Sequence, residues 1–368
     1  MTGAVVYLDH NATTPVRDSV IVAMTAALRS CGNPSSVHGP GRRARQAVER
    51  ARDAVRSALG LSRDTTVVFT SGGTEANMLA LTGTAASSVL AGATEHDSVI
   101  ASVAETARIP VDSAGVIDLE ALRAALAKGP NGRLVSVMAA NNETGVIQPI
   151  AEAARIAHDA GALFHCDAVQ CLGRIPFDAR DADLLTVSGH KLGGPQGVGA
   201  LIVRPGIGLH PRPGGGQESG LRPGTENVPG IVGLGVAITE AVTELPSWAA
   251  LAQMRDGIAS AFLEIDPAAV VFGAAAPRLP NTLSVAMPGV SSETQIMALD
   301  LAGIAVSAGS ACSSGKVKAS HVLAAMGVAP DLARCAIRIS LGPDNTGAEI
   351  DRLIAAWRAL RLRTKARA

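Results

Sequence analysis

The chemistry in this sequence is carried by a few polar residues set at the ends of apolar runs. Lys191 stands in VSGHKLGGPQGVG, just after a strand-like run and before a glycine-rich turn. It is flanked by Ser, His, Leu and Gly, with no acid beside it in sequence. A lysine held in such a place can lose its proton and form a Schiff base with an aldehyde. The same spacing also fits a solvated turn lysine. Asp167 closes the apolar run FHCD. A carboxylate there costs desolvation unless it meets a cation or donors, and a protonated pyridinium nitrogen would suit it. In TSGGTEANMLAL, Gly73 and Thr74 sit where a strand turns into a helix. Free N–H groups at such a start favour an anion such as phosphate, although a plain helix cap reads the same way. No Gly-Lys-Ser/Thr follows, so this is not a P-loop, and GGPQGVG lacks the strand–loop–helix setting of a dinucleotide fingerprint. His96, in ATEHDSV, is expected before a strand, and Asn142, in ANNETGVIQPI, in a polar turn after one. Each of these alone fits a structural role. Together they lie at strand ends of one sheet.

Cys312 is different. It lies in SAGSACSSGKVKASH, among small polar residues with Lys316 and Lys318 downstream. Such a stretch reads as mobile and wet. The lysines fit a solvated loop, though they could also lower the thiol pKa. Cys31, Cys166, Cys171 and Cys335 lie outside such a stretch and read as inert. Five scattered cysteines make no disulfide framework, which points to a reducing cytoplasm. A metal site in FHCDAVQC is disfavoured, because strand alternation puts His165 and Cys166 on opposite faces.

The elements that must hold these residues follow from periodicity. TVVFT (66–70), LVSVMAA (134–140), ALFHCD (162–167), LLTVS (184–188) and GALIV (199–203) read as buried strands. GRRARQAVERARDAVRSALG (41–60) and EAARIAHDAG (152–161) read as amphipathic helices between them. This alternation predicts an α/β fold with a mostly parallel sheet covered on both faces, whose ligands collect at the carboxyl ends of the strands. A Gly/Pro-rich stretch, 206–230, is too long for an ordinary connection and reads as functional or as an interface. After a helix at 230–245, a second unit is expected, with helices near 247–264 and 346–362 and strands at 269–273 and 282–287.

The 368 residues exceed what one core usually serves, so two domains are expected: a large one, 15–245, and a small α+β one made of 1–14 and 246–368. Lys plus Arg and Asp plus Glu balance at 32 each, and aromatics are 2%. That argues against a partner recognised by bulk charge or base stacking, either nucleic acid or an anionic membrane. No signal peptide or transmembrane run is read at the N-terminus.

Ten motifs, in order, carry a resemblance over nearly the whole chain: LDHNATTP, GNPSSVHGPGR, TSGGTEAN, EHDSV, ANNETGVIQPI, CDAVQ, SGHKLGGPQGVG, GGGQESGLRPGTENVPGIVG, GSACSSG and IRISLG. The sequence resembles the cysteine desulfurases, pyridoxal 5′-phosphate enzymes of the class V aminotransferase group with the type I fold. The stretch around Cys312 is similar to the branch with an extended catalytic loop. The resemblance implies that Lys191 carries the cofactor and later acts as base, that Asp167 salt-bridges the pyridine nitrogen, and that His96 stacks on the ring. It implies that Gln170 meets the phenolic oxygen, and that Gly73, Thr74, Ser188 and His190 bind the phosphate with Thr225 of a partner subunit in a homodimer. Arg338, with Asn142 and Asn11 nearby, is implied to bind the substrate carboxylate. Cys312 is implied to take sulfur from L-cysteine as a persulfide, releasing L-alanine, and to pass it to an iron–sulfur scaffold or a thiolation carrier. A selenocysteine lyase or another class V enzyme is the alternative. His10 stands where the family often has asparagine. The chain ends at RLRTKARA, where housekeeping members carry a longer tail that touches the scaffold, so that contact is not expected.

Overall fold

The computed structural model describes residues 5–309 and 319–366. Its strands are β1 (Val6–Tyr7), β2 (Thr66–Thr70), β3 (Val89–Gly92), β4 (Arg108–Ile109), β5 (Leu134–Met138), β6 (Leu163–Asp167), β7 (Leu184–Ser188), β8 (Gly199–Val203), β9 (Val270–Phe272), β10 (Thr282–Ala286), β11 (Ile304–Ala305), β12 (Ser307–Ala308) and β13 (Ala336–Ser340). Seven of them form one sheet in the order β2-β8-β7-β6-β5-β3-β4. All its pairings are parallel except those of β8, which is antiparallel to both β2 and β7. The fold is α/β, with a mostly parallel central sheet. β5, β7 and β8 are buried at every residue, as strands covered on both faces must be.

Helices cover the sheet because their apolar residues fall on one side. Gly39–Ala58 buries Ala44, Val48, Ala51 and Val55, a spacing of four, three and four, and exposes Arg42, Arg43, Arg45 and Arg50, while Arg52 turns in to pair with Glu218. His38 caps it by accepting from the Gly41 N–H. It packs on Val228–Thr243, where Gly235 lets the backbones approach: a Cβ there would lie 3.0 Å from the Ala51 Cα. Both helices begin two residues earlier than the periodicity predicts, each directly after its capping residue, His38 and Asn227.

The second sheet is four-stranded and antiparallel, in the order β12-β13-β10-β9. β1 from the N-terminus pairs in parallel with β11 beside it. Helices Leu251–Ile265, Ser292–Leu301 and Gly347–Lys365 pack against these strands around a separate core, in which Phe262 stacks on Trp357 with ring centroids 4.1 Å apart. Among the described residues no single helix is long and apolar enough to cross a membrane.

Candidate active site

Because β8 alone runs against the others, the carboxyl ends of β2, β3, β5, β6 and β7 point to one edge, and each delivers a polar residue there. A cavity of about 300 Å³ at this edge is lined by Gly73, Thr74, His96, Asn142, Asp167, Gln170, Ser188, His190 and Lys191, with Asn11 from the N-terminal segment and Arg338 from β13. Every expected site residue among the described ones is therefore brought together except Thr225, which is exposed and does not line the cavity of its own chain. Cys312, Lys316 and Lys318 lie outside the described residues.

Lys191 ends the short turn Gly189–Lys191 that follows β7. Its Nζ donates to the backbone carbonyls of Asn11, 2.5 Å, and Ala12, 2.6 Å, and no carboxylate pairs with it among the described residues. Burial, then the nearby Arg174 and Arg338 cations, pull its pKa down to about 7. The amine is thus a usable nucleophile near neutral pH, and the solvated-turn reading of this lysine is set aside.

Asp167 is 6% exposed, and both of its oxygens are held: Oδ2 accepts from Asn77 Nδ2 at 2.7 Å and Oδ1 from the Val169 N–H at 2.9 Å. The Asn77 amide also donates to Ser98 Oγ at 2.9 Å, and Ser98 Oγ lies 2.8 Å from His96 Nδ1. Ser98 accepts from Asn77 and so donates to His96. The same Nδ1 accepts from the Ser98 N–H, so the neutral ring carries its proton on Nε2. No strand follows His96. Its ring caps the helical turn Asp97–Ile100, because a β-conformation residue with an acceptor before Asp-Ser starts a helix more readily than a strand.

At the other side of the cavity, helix Gly73–Gly83 begins at Gly72 with no side-chain cap. Its first N–H groups therefore face the cavity without an intrahelical partner. The Ser188 hydroxyl is buried with no hydrogen-bond partner among the described residues. Burial lowers the His190 pKa to about 4, with Lys191 and Arg174 adding to it.

Arg338 is 2% exposed. It donates from Nη2 to Asp9 Oδ1 at 2.7 Å and from Nη1 to the Asn142 carbonyl at 3.1 Å, while its Nε has no partner. The Asn11 side chain departs from the expectation that it contacts substrate. Its Nδ2 donates to the Asn142 carbonyl and Thr282 Oγ1, and its Oδ1 accepts from Arg174 and Asn281. All four places on that amide are taken, so the side chain braces the site, and its backbone is held as well, the N–H donating to Ser340 Oγ and the carbonyl accepting from Gln170 Nε2 and Lys191 Nζ.

Sequence reasoning missed Asn77, Glu143, Arg174 and His321. Asn77 lies three residues after Thr74 on the same helix face, so TSGGTEAN held the signal. Glu143, beside Asn142, lines the cavity and accepts from Ser320 Oγ at 2.6 Å, and burial raises its pKa. His321 also lines the cavity, with Nε2 2.9 Å from the Glu95 carbonyl oxygen.

Comparison with known proteins decides the family. The model of the class V aminotransferases matches residues 6–353. The chain belongs to this family, among its cysteine desulfurases. It is 44% identical over 366 residues to a cysteine desulfurase of Cereibacter sphaeroides, covering 95% of this chain and 94% of that one. It is 41% identical to cysteine desulfurase IscS of Dictyoglomus turgidum, over 92% of this chain and 89% of that one. Among solved structures, a NifS-like protein from Rickettsia africae superposes with a TM-score of 0.89 at 35% identity, covering 97% of this chain and 99% of that one.

The cofactor of this family is pyridoxal 5′-phosphate, and the cavity fits it. An amine held near its neutral form, an anchored carboxylate, an orphaned serine hydroxyl and an uncapped helix start are the four groups that an aldehyde, a pyridine nitrogen and a phosphate call for.

Proposed function

We propose that this protein takes sulfur from L-cysteine onto Cys312 and leaves L-alanine. The observation that supports this best is the Lys191 amine, buried, unpaired with any carboxylate among the described residues, and facing Asp167 and Arg338 across one cavity. Pyridoxal phosphate, when bound, supplies an aldehyde and an electron sink for the α-carbon of an amino acid. Around it, Lys191 holds the cofactor and moves a proton at the substrate α-carbon. Asp167 faces the ring nitrogen, His96 covers the ring, and Gln170 offers its amide to the phenolic oxygen. Gly73, Thr74, Ser188 and His190 take the phosphate. Arg338 receives the substrate carboxylate, with Asn142 beside it.

The Cys312 thiolate attacks the substrate sulfur. The carbon–sulfur bond breaks, its electron pair stays on the carbon, and that carbon takes a proton to become the alanine methyl group. Cys312 is left carrying the sulfur as a persulfide. We assign residues 15–245 to a large cofactor-binding domain, and 1–14 with 246–368 to a small domain supplying Arg338 and Cys312; two separate hydrophobic cores support this division. We further assign the protein as a cytoplasmic homodimer in which Thr225 of each subunit reaches the partner's phosphate site. The sulfur goes to an acceptor protein, an iron–sulfur scaffold or a thiolation carrier.

The test is alanine and sulfide release from L-cysteine with a thiol reductant, using the wild type and Cys312→Ala. Wild type should make both products in equal amounts and Cys312→Ala neither, while keeping its visible cofactor absorption. Full activity in Cys312→Ala would move the nucleophile elsewhere.

A further inference from the structure

Arg174 lies in the turn beyond β6, is 2% exposed, and forms none of the ion pairs among the described residues. A buried cation without a counter-ion is costly unless hydrogen bonds hold it. Here they do. Nη1 donates to Asn11 Oδ1 at 2.7 Å and to Gln170 Oε1 at 2.5 Å, and Nη2 donates to the His10 carbonyl at 3.0 Å. The guanidinium also lies over the Trp248 ring, 5.1 Å from its centroid.

These bonds fix more than they touch. With Gln170 Oε1 turned to Arg174, Nε2 is turned the other way, and it donates to the Asn11 carbonyl at 3.0 Å. That leaves one amide proton of Gln170 for the cavity it lines. The same Asn11 carbonyl accepts from Lys191 Nζ. Arg174 therefore grips the 10–11 segment at two points, and the carbonyl so placed serves both Gln170 and Lys191.

We propose that Arg174 is a positioning residue for the reaction: one buried guanidinium orients the Gln170 amide and, through Asn11, the Lys191 amine. This rests on the reading of Lys191 and Gln170 as cofactor-holding residues. The charge of Arg174 acts on Lys191 as well. The charged groups around that amine are Arg174 and Arg338, which disfavour its protonation, and Asp9 and Asp167, which favour it, with the neutral His190 beside it. Burial, then the nearby Arg338 cation, lower the Arg174 pKa to about 9, which leaves it charged near neutral pH.

Two variants of the full-length, cofactor-loaded protein separate charge from geometry. Arg174→Met removes the cation, so the midpoint of the pH titration of the visible cofactor band should rise by roughly one unit. Arg174→Lys keeps the charge and loses the fork, so its midpoint should stay near that of wild type. Both should bind the cofactor at least about tenfold more weakly, with kcat falling more than KM rises, because Gln170 is no longer oriented. Should Arg174→Met not fold, Arg174→Lys decides alone: weaker cofactor binding at an unchanged thermal midpoint supports the proposal, and unchanged binding overturns it. An unmoved titration midpoint in a folded Arg174→Met also overturns it, while leaving the assignment of Lys191 intact. A wild type with no visible band at all would overturn that assignment and this inference together.

Discussion

At the scale of single residues, the cavity is built from pairs in which one side chain holds another. Asn77 shows this most directly, since its two amide protons tie Asp167 to Ser98 and, beyond it, His96. Removing a donor from a buried carboxylate costs about 1.5–3 kcal/mol, equivalent to a ~10–100-fold loss in binding of a group that carboxylate must meet. Asn77→Leu should therefore weaken pyridoxal phosphate binding by about one to two orders of magnitude, read from a visible titration of cofactor into stripped protein. Unchanged affinity would mean that the Val169 N–H alone holds Asp167. Lys191, Asp167, Thr74, His96 and Asn142 were legible as candidates because each stands just beyond or at the end of an apolar run, whereas Gln170, Ser188, His190 and Arg338, the last inside β13, came only from the family resemblance. Their supports were not. Arg174, in CLGRIPF, was not singled out, since nothing in a linear sequence shows that the turn beyond β6 folds it inward.

At the scale of elements, legibility followed burial. β2, β7 and β8 match their predicted runs residue for residue, because strands buried on both faces over most of their length read as mostly apolar runs. β3 and β4 were not foreseen, being short and rich in Ala and Gly or carrying Arg108. Nor was the reversal of β8, which apolarity does not encode. That reversal has a local requirement at Gly199. A Cβ there would lie 2.7 Å from the Val187 carbonyl oxygen and 2.8 Å from Gly72 backbone atoms, none of which is a flexible side chain. Gly199→Ala should push β8 away from the turn that starts the phosphate-facing helix. The expected cost is about 1–3 kcal/mol of stability, seen as a lower urea midpoint, together with weaker cofactor retention. A fully stable Gly199→Ala that binds cofactor normally would show that the turn adjusts independently of β8.

At the scale of the whole molecule, the site joins segments that sequence separates widely. Asp9 and Asn11 meet Arg338 and Asn142 only because β13 pairs at Ser340 with Asp9. No local pattern encodes that closure; the resemblance in IRISLG and LDHNATTP pointed to it. The same folding buries titratable groups across the molecule, which fixes how stability depends on pH. His10, His165 and His190 are each lowered to about 4, in every case chiefly by burial. Their folded pKa values lie below the unfolded value, so between about pH 6.5 and 4 the unfolded chain takes up protons that the folded chain does not, and stability falls as pH falls. Glu95 and Glu143 act oppositely: burial raises both, so the folded chain holds protons there that the unfolded chain releases. The two sets oppose each other as the pH falls, so the histidine contribution is read at a single residue. His165 is the cleanest to isolate, lying between Ser136 Oγ at 2.9 Å and Thr186 Oγ1 at 3.0 Å, outside the cavity lining. His165→Gln keeps hydrogen-bonding capacity and removes one titrating group. Relative to wild type, its stability should gain about 1.4 kcal/mol per pH unit as the pH falls from 6.5 to 4.5, measured from urea midpoints across that range. Parallel curves for the two proteins would mean that His165 takes up its proton in the folded chain as readily as in the unfolded one.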